Sequence, residues 1–427
     1  MFRFLTDLFK NKDIRTRIIF TLTMLLIYLL GTVIPVPNVD HVMLSAQMEP
    51  NSLLEMMSIL GGGQLQSFSV FSLGVGPYIT ASIIVQLLSM DIIPYLSDLA
   101  KSGNKGKLQM DKITRYLAVV LGYVQAITLM NLYKDVLIDS GWPSLFYMGT
   151  IMVGGTMFLL WLGDQITQKG VGNGVSMIIM SGIISRMPTT YRIAYESMVT
   201  ANGFSLTGIL FFALFVAVNL GIVVLVIYMN QAVRKITIQY SSSSGAPRGR
   251  NVNHLPLKIN SASVIPVIFA GAIIQAPIIA LSYINQQSSI FKFLNTYITL
   301  NHPIGISLYA VLIFGFTFFY THLTVDPEKI AENFGKNNSY IPGVRPGKDT
   351  QRHISVILNR ITLLGAIFLT FIAVLPPLLP ILTNNLIPQA TAPGGTGVII
   401  VVGVALETVK ELQGRMAQRS YTGLFNR

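Results

Sequence analysis

The sequence predicts an all-α polytopic membrane protein with ten spanning helices. Three observations carry that expectation. The 427 residues are 52% hydrophobic and only 11% charged, with a mean hydropathy of +0.59, whereas soluble chains carry about 25% charged residues. Ten apolar runs are each near the ~20 residues a spanning helix needs. The basic residues between them fall almost wholly on one side.

The first span is predicted at 18–35. It follows a basic start (Arg3, Lys10, Lys12, Arg15, Arg17) and ends in Pro35-Val36-Pro37, with no small-residue cleavage site. It therefore reads as a first helix rather than a removed signal peptide. The others are predicted at 70–90, 113–133, 145–163, 172–187, 208–229, 262–283, 304–323, 357–377 and 395–413. Ten spans place both termini on one face. With the N-terminus cytosolic, only Lys134, Arg186, Arg192 and Lys292 of the 30 Lys and Arg lie outside. That asymmetry is the positive-inside pattern, and it also accounts for the net charge of +12 without nucleic acid.

A shorter apolar piece, Asn51 to Leu60, stops at Gly61-Gly62-Gly63. Ten helical residues rise about 15 Å, half of a bilayer core. The piece reads as a re-entrant half-helix or as an amphipathic helix lying on the external surface. Five spans, a linker near 188–207 and five more suggest two inverted halves, 1–190 and 191–427, as in many transport folds. No residue-level repeat supports the division.

Two cytosolic loops are long, at 230–258 and 324–356. The first holds Ser241-Ser242-Ser243-Ser244-Gly245 with Arg248 and Arg250, and reads equally as a flexible basic linker or a docking loop. The second holds Tyr340-Ile341-Pro342-Gly343-Val344-Arg345-Pro346-Gly347-Lys348. Its prolines and glycines stop a helix and present Arg345 as a fixed cation. A soluble partner is expected to dock there.

No cysteine is present, so disulfides and thiolate chemistry are excluded. No zincin, nucleophile-elbow or Walker pattern occurs, and no cofactor or metal is expected. Gly103-Asn104-Lys105-Gly106-Lys107 has the wrong spacing for a phosphate loop and reads as a basic loop. Gly305-Ile306-Ser307-Leu308 with His322 lacks the second half of an intramembrane protease site. Carboxylates are nearly absent from mid-span, since Asp164, Glu407 and Glu411 fall near helix ends. That argues against ion-coupled transport and suits an apolar constriction that gates by dewetting.

Several blocks then resemble the SecY family, the channel subunits of the Sec protein translocase, across essentially the whole chain. They are Trp161-Leu162-Gly163-Asp164-Gln165-Ile166-Thr167 with Lys169-Gly170-Val171-Gly172-Asn173-Gly174-Val175-Ser176, and Leu255-Pro256-Leu257-Lys258-Ile259-Asn260 with Val264-Ile265-Pro266-Val267-Ile268-Phe269-Ala270. Asp326-Pro327-Glu328, Ala331-Glu332-Asn333, the Arg345 loop and Asn359-Arg360-Ile361-Thr362-Leu363 follow in order.

The resemblance implies an hourglass pore between the two halves. Its waist would be a ring of Val75, Ile79, Val175, Ile179, Ile268 and Ile400. The half-helix would be a plug, carrying Leu54, Met57, Ile59, Leu60, Gly61 and Gly62. Gln86 and Asn260 match polar positions of a lateral gate, where a pair of amides that meet when closed would set the bias. Arg345, Lys348, Arg248 and Arg250 would dock partners.

The implied function is a passive protein-conducting channel in a bacterial cell membrane, not an enzyme. The implied partners are SecE, SecG, the SecA ATPase, the ribosome with its RNA, signal peptides and nascent chains, and membrane lipids. A secondary transporter for a small solute and an accessory export channel are the alternatives. Ser263 stands where the family usually has glycine, Tyr28 where many bacterial relatives have arginine, and Val75 and Val175 where isoleucine is frequent.

Overall fold

The computed structural model describes residues 11–40, 68–90, 92–133, 136–139, 141–200, 206–240, 253–284, 289–300, 302–383 and 392–425. The helices are α1 (Lys12–Val33), α2 (Gly76–Leu88), α3 (Pro94–Lys101), α4 (Gly103–Leu132), α5 (Trp142–Lys169), α6 (Gly174–Tyr195), α7 (Leu206–Gln231), α8 (Ile265–Ile284), α9 (Ser289–Tyr297), α10 (Pro303–Thr324), α11 (Pro327–Lys336), α12 (Lys348–Leu382) and α13 (Ala392–Phe425). Three strands, β1 (Val233–Tyr240), β2 (Asn253–Lys258) and β3 (Ser339–Tyr340), complete the described elements.

Each of the ten predicted spans meets a helix: α1, α2, α4 to α8, α10, α12 and α13. Among the described residues, six helices are long and apolar enough on their own to cross a bilayer. Large apolar side chains remain exposed along their outer faces, such as Leu22, Leu26 and Leu30 on α1, Leu210, Leu220 and Val224 on α7, and Leu364 and Phe371 on α12. An apolar outer surface over a packed apolar interior is what lipid requires.

Several expectations are corrected. The second span does not begin at Val70. Residues 68–75 form successive turns, with Gly74 at φ +55°, and the helix starts at Gly76. A bridge between Pro35 and Ser69 and a bond from Val70 N to Ile34 O (3.0 Å) hold these turns to the end of α1. The basic stretch 103–107 is not a loop but the first turns of α4. The linker near 188–207 is helical through Pro188 to Tyr195, and a π-helical turn follows at Glu196–Thr200. Burial of Ala194, Met198 and Val199 against Phe215 keeps it wound, outweighing the one backbone donor lost at proline.

The described flanks of the long loops are ordered as strands, while residues 241–252, with Ser241 to Gly245, lie outside the described residues. β1 pairs antiparallel with β2, from Val233 opposite Lys258 to Ile238 opposite Asn253, and also with β3 through Gln239–Tyr340 and Tyr240–Ser339. A small sheet of order β2-β1-β3 thus binds the two loops together, and the fold is mainly rather than purely α. The predicted half-helix, including Leu54, Met57, Ile59, Leu60, Gly61 and Gly62, lies outside the described residues, as do Arg248 and Arg250.

The packing is uneven. α2, α4, α5 and α6 pack in sequence with α1 against α5 and α6, while α7, α8, α10, α12 and α13 form a second neighbourhood. α6 lies along α13, whereas α8 meets α2 and α4 only sparsely.

Candidate functional site

The six predicted waist residues come from four stretches of chain and all belong to the large apolar core that most of the spanning helices share. Val75, Ile179 and Ile400 are buried in it, and Ile79, Val175 and Ile268 are half-buried against it. Local sequence explains each placement. Val75 is the last residue before α2, and its carbonyl accepts from Ile79 N (3.1 Å), which sets the two side chains one turn apart.

The Gly-rich block positions the next pair. Asn173 caps α6, its Oδ1 accepting from the backbone N–H of Val175 (3.1 Å) and Ser176 (3.4 Å). Gly174 N donates to Thr167 Oγ1 (2.9 Å). A Cβ on Gly174 would collide with the Gly163 carbonyl, so only glycine lets the start of α6 lie on α5. This close seat fixes Val175 and, one turn on, Ile179. On α8, Ile268 N donates to Val264 O (3.4 Å). Val264 in turn sits so close to Gly403 that a Cβ there would lie 2.8 Å from Val264 Cγ1, which draws α13 and Ile400 to the same cluster.

The departures from the family pattern have structural readings. Ser263 sits just before α8 at φ +55°, a left-handed backbone that favours glycine. Tyr28 is fully buried, its ring stacked at 6.3 Å on Phe71, which suits an aromatic rather than a guanidinium.

A polar network borders the apolar cluster at Tyr78. Tyr78 OH donates to Asp111 Oδ1 (3.3 Å), Arg115 Nε donates to Asp111 Oδ2 (3.0 Å), and Arg115 Nη2 donates to Asp164 Oδ2 (2.9 Å). It ties α2, α4 and α5. The residues are about a third exposed, so each ion pair is worth ~1 kcal/mol or less. Sequence reasoning placed Asp164 at a helix end without finding Arg115. The signal was present, since Asp111 and Arg115 are four apart on one helix.

Gln86 and Asn260 do not hydrogen-bond each other. Gln86 Nε2 donates to Ser82 Oγ (3.3 Å) and Asn260 Nδ2 donates to Asn230 Oδ1 (3.4 Å). The other amide oxygen of each is buried without a protein partner. The expected amide pair is therefore absent from this conformation: each side chain is drawn to a partner on its own side of the α2–α8 contact.

The Arg345 loop is fixed where the sequence expects it to be. Ile341 is buried with Ile236, Leu257, Ile354 and Ile361. Tyr340 OH donates to Gln239 Oε1 (3.1 Å), and Thr350 Oγ1 donates to the Arg345 carbonyl (2.9 Å). Gly343 and Gly347 turn the chain at φ +82° and +95°. Arg345 and Lys348 are exposed. Nearby, Asp326 caps α11, accepting from Glu328 N (3.0 Å) and Lys329 N (3.3 Å) and pairing with Lys329 Nζ (3.2 Å). Partial burial works to raise the Asp326 pKa, but Lys329 and the two backbone donors outweigh it and hold the carboxyl below its usual range. Among the described residues no cluster of His, Cys, Asp or Glu is arranged to hold a metal.

Comparison with known proteins bears on the family and the fold. The SecY family model matches residues 69–409. Protein translocase subunit SecY of Bacillus subtilis (strain 168) is 43% identical over 431 residues, covering 99% of both chains. The subunit of that name from Staphylococcus carnosus (strain TM300) is 40% identical over the full length of both. Among solved structures, one described as a protein conducting channel superposes with a TM-score of 0.68 at 17% identity, covering 93% of this chain and 92% of that one. Sec61 in the canine ribosome-channel complex superposes with a TM-score of 0.66 at 16% identity, over 93% and 92%. With near-complete coverage by relatives of this identity, the chain belongs to the SecY family.

Proposed function

We propose that the chain forms a gated path for unfolded polypeptide across a bacterial cell membrane, and that it releases apolar segments sideways into lipid. One observation carries the reading. Six aliphatic residues from four distant stretches of sequence share a single apolar cluster. Such a cluster excludes water and ions when closed, yet offers a sliding chain no fixed hydrogen-bonding partner. Insertion then follows transfer free energy: about 20 apolar residues favour lipid, while polar segments stay in the path.

In this reading the chain is not an enzyme, and transport is driven from outside by the SecA ATPase or the translating ribosome, with SecE and SecG as companion subunits. Arg345 and Lys348, with Arg248 and Arg250, are the docking cations, and ribosomal RNA phosphates make that docking salt-sensitive. Residues 1–190 and 191–427 act as two halves that part along α2 and α4 against α8, and residues 51–63 plug the external funnel.

The test is reconstitution. The chain with its SecE-like subunit is placed in vesicles with SecA, ATP and a secretory precursor. Protease-protected precursor that depends on ATP is the expected result. Uptake of a small solute without precursor transport would replace this reading with a solute transporter.

A further inference from the structure

Asn260 lies between β2 and the start of α8, and it is 9% exposed. Its surroundings hold it firmly. Its Nδ2 donates to Asn230 Oδ1 at the end of α7, and Asn230 Nδ2 donates to Val226 O (3.1 Å). Lys410 Nζ on α13 donates to the Asn230 carbonyl (2.6 Å). Next to Asn260, Ile259 N donates to Ala232 O (3.0 Å), and the Ile259 carbonyl lies against Gly365 of α12.

The bond to Val226 O fixes the orientation of the Asn230 amide, because the reverse orientation would set oxygen against oxygen. That in turn fixes Asn260 with its Nδ2 toward Asn230. Its Oδ1 then has no protein donor. Asn230 and Asn260 both line a cavity of about 10 Å³, walled otherwise by apolar side chains such as Val264, Phe368, Leu369 and Ile399. This volume suits one water.

We infer that this cavity is a hydration site. One water donates to Asn260 Oδ1 and completes a Lys410–Asn230–Asn260 joint that anchors the start of α8 to α7, α12 and α13. Asn260 is then a positioning residue that acts within its own helix neighbourhood, rather than one half of a latch with Gln86. The consequence for transport rests on the channel reading above. The joint itself does not.

Two readouts keep the two ideas separable. The first is a double-mutant cycle on the thermal stability of the purified, full-length complex. Asn230→Leu and Asn260→Leu should be non-additive, since each removes the same bond, whereas Gln86→Leu should add to Asn260→Leu. Additivity of the first pair, or coupling of Gln86 with Asn260 in its place, overturns the joint. A high-resolution structure should show water within hydrogen-bond distance of Asn260 Oδ1; a dry cavity overturns the hydration site.

The second readout is export of a reporter with a defective signal, relative to one with an intact signal. Asn230→Leu and Asn260→Leu should each raise that ratio by about fivefold to tenfold, the worth of about one net hydrogen bond. Asn260→Gln keeps an amide donor for Asn230 Oδ1 and should lie closer to the original ratio than Asn260→Leu. An unchanged ratio in both leucine variants overturns the positioning role. If the unaltered protein exports neither reporter, the channel reading fails, and the stability cycle still decides the joint.

Discussion

Replacing Ile400 by asparagine tests whether the waist seals because it is apolar. Ile400 is 3% exposed, in the cluster with Val75 at 0% and Ile179 at 4%. Burial of an isoleucine is worth about 1.5–3 kcal/mol, and an unpartnered buried amide costs about 1–3 kcal/mol. Ile400→Asn therefore disfavours the closed waist by roughly 2.5–6 kcal/mol relative to a hydrated one. Even the lower figure shifts the closed-to-open ratio by about 60-fold. Ile79, only half-buried, should give a smaller shift when changed in the same way. The assay is ion conductance of the reconstituted complex across a planar bilayer, with neither SecA nor ribosome present. Ile400→Asn should leak steadily, and Ile400→Leu, which conserves volume, should stay tight. A folded Ile400→Asn variant as tight as the parent would refute the reasoning. So would equal leakage from Ile400→Leu, because shape rather than polarity would then make the seal.

Three further outcomes are expected. Ser263→Gly should stabilise the protein by about 0.5–1 kcal/mol, since the left-handed backbone strain it relieves exceeds the added chain entropy; a lower melting temperature for the variant would show that the serine is not strained there. Arg345→Glu should abolish SecA-driven transport while leaving the melting temperature unchanged, because the side chain is exposed and the loop is held by Ile341, Tyr340 and Thr350; normal transport by this variant would remove the docking role. Asp326→Ala should cost about 1 kcal/mol through loss of the α11 cap. Because the folded carboxyl titrates below its usual range, its contribution is complete at neutral pH and is lost as pH falls below about 4. In acid titrations of stability, the parent and Asp326→Ala should therefore converge at low pH, and a gap that persists there would remove the electrostatic account.

The length of the apolar runs and the charge asymmetry made the spans legible, because lipid demands long apolar helices and the cytosol collects lysine and arginine. The proposed waist rests on the family resemblance. By composition alone, Val175 and Ile400 look like any packed aliphatic. The sheet was not legible, since Val233–Tyr240 is charged and short, and its partner strand includes Pro256. Its third strand, β3, comes from about a hundred residues further on. The end of α6 was misread because Pro188 is a strong local stop signal, while the burial that overrides it comes from α7. The two amides do not bond each other in this conformation for a related reason. Gln86 and Asn260 each have a nearer polar partner, Ser82 and Asn230, and a buried amide takes the nearest bond available.

The uneven packing bears on how such a path would open. Moving two bodies apart costs least where they share least surface. α6 lies along α13, and Gly397 of α13 is so close to α6 that a Cβ there would lie 2.8 Å from Ile183 Cγ2. This seam is interdigitated, and parting it would expose Ile183 together with Val398 and Ile399. Across the molecule, α8 touches α2 and α4 only sparsely, and the two amides nearest that contact do not bond across it. In the proposed channel, separation at α8 would therefore cost less than parting the α6–α13 seam. Val175 and Ile179 lie on α6 and Ile268 on α8, so in that reading the separation that admits lipid would also widen the proposed waist. Lateral release and axial passage would then be two readings of one displacement rather than two separate gates.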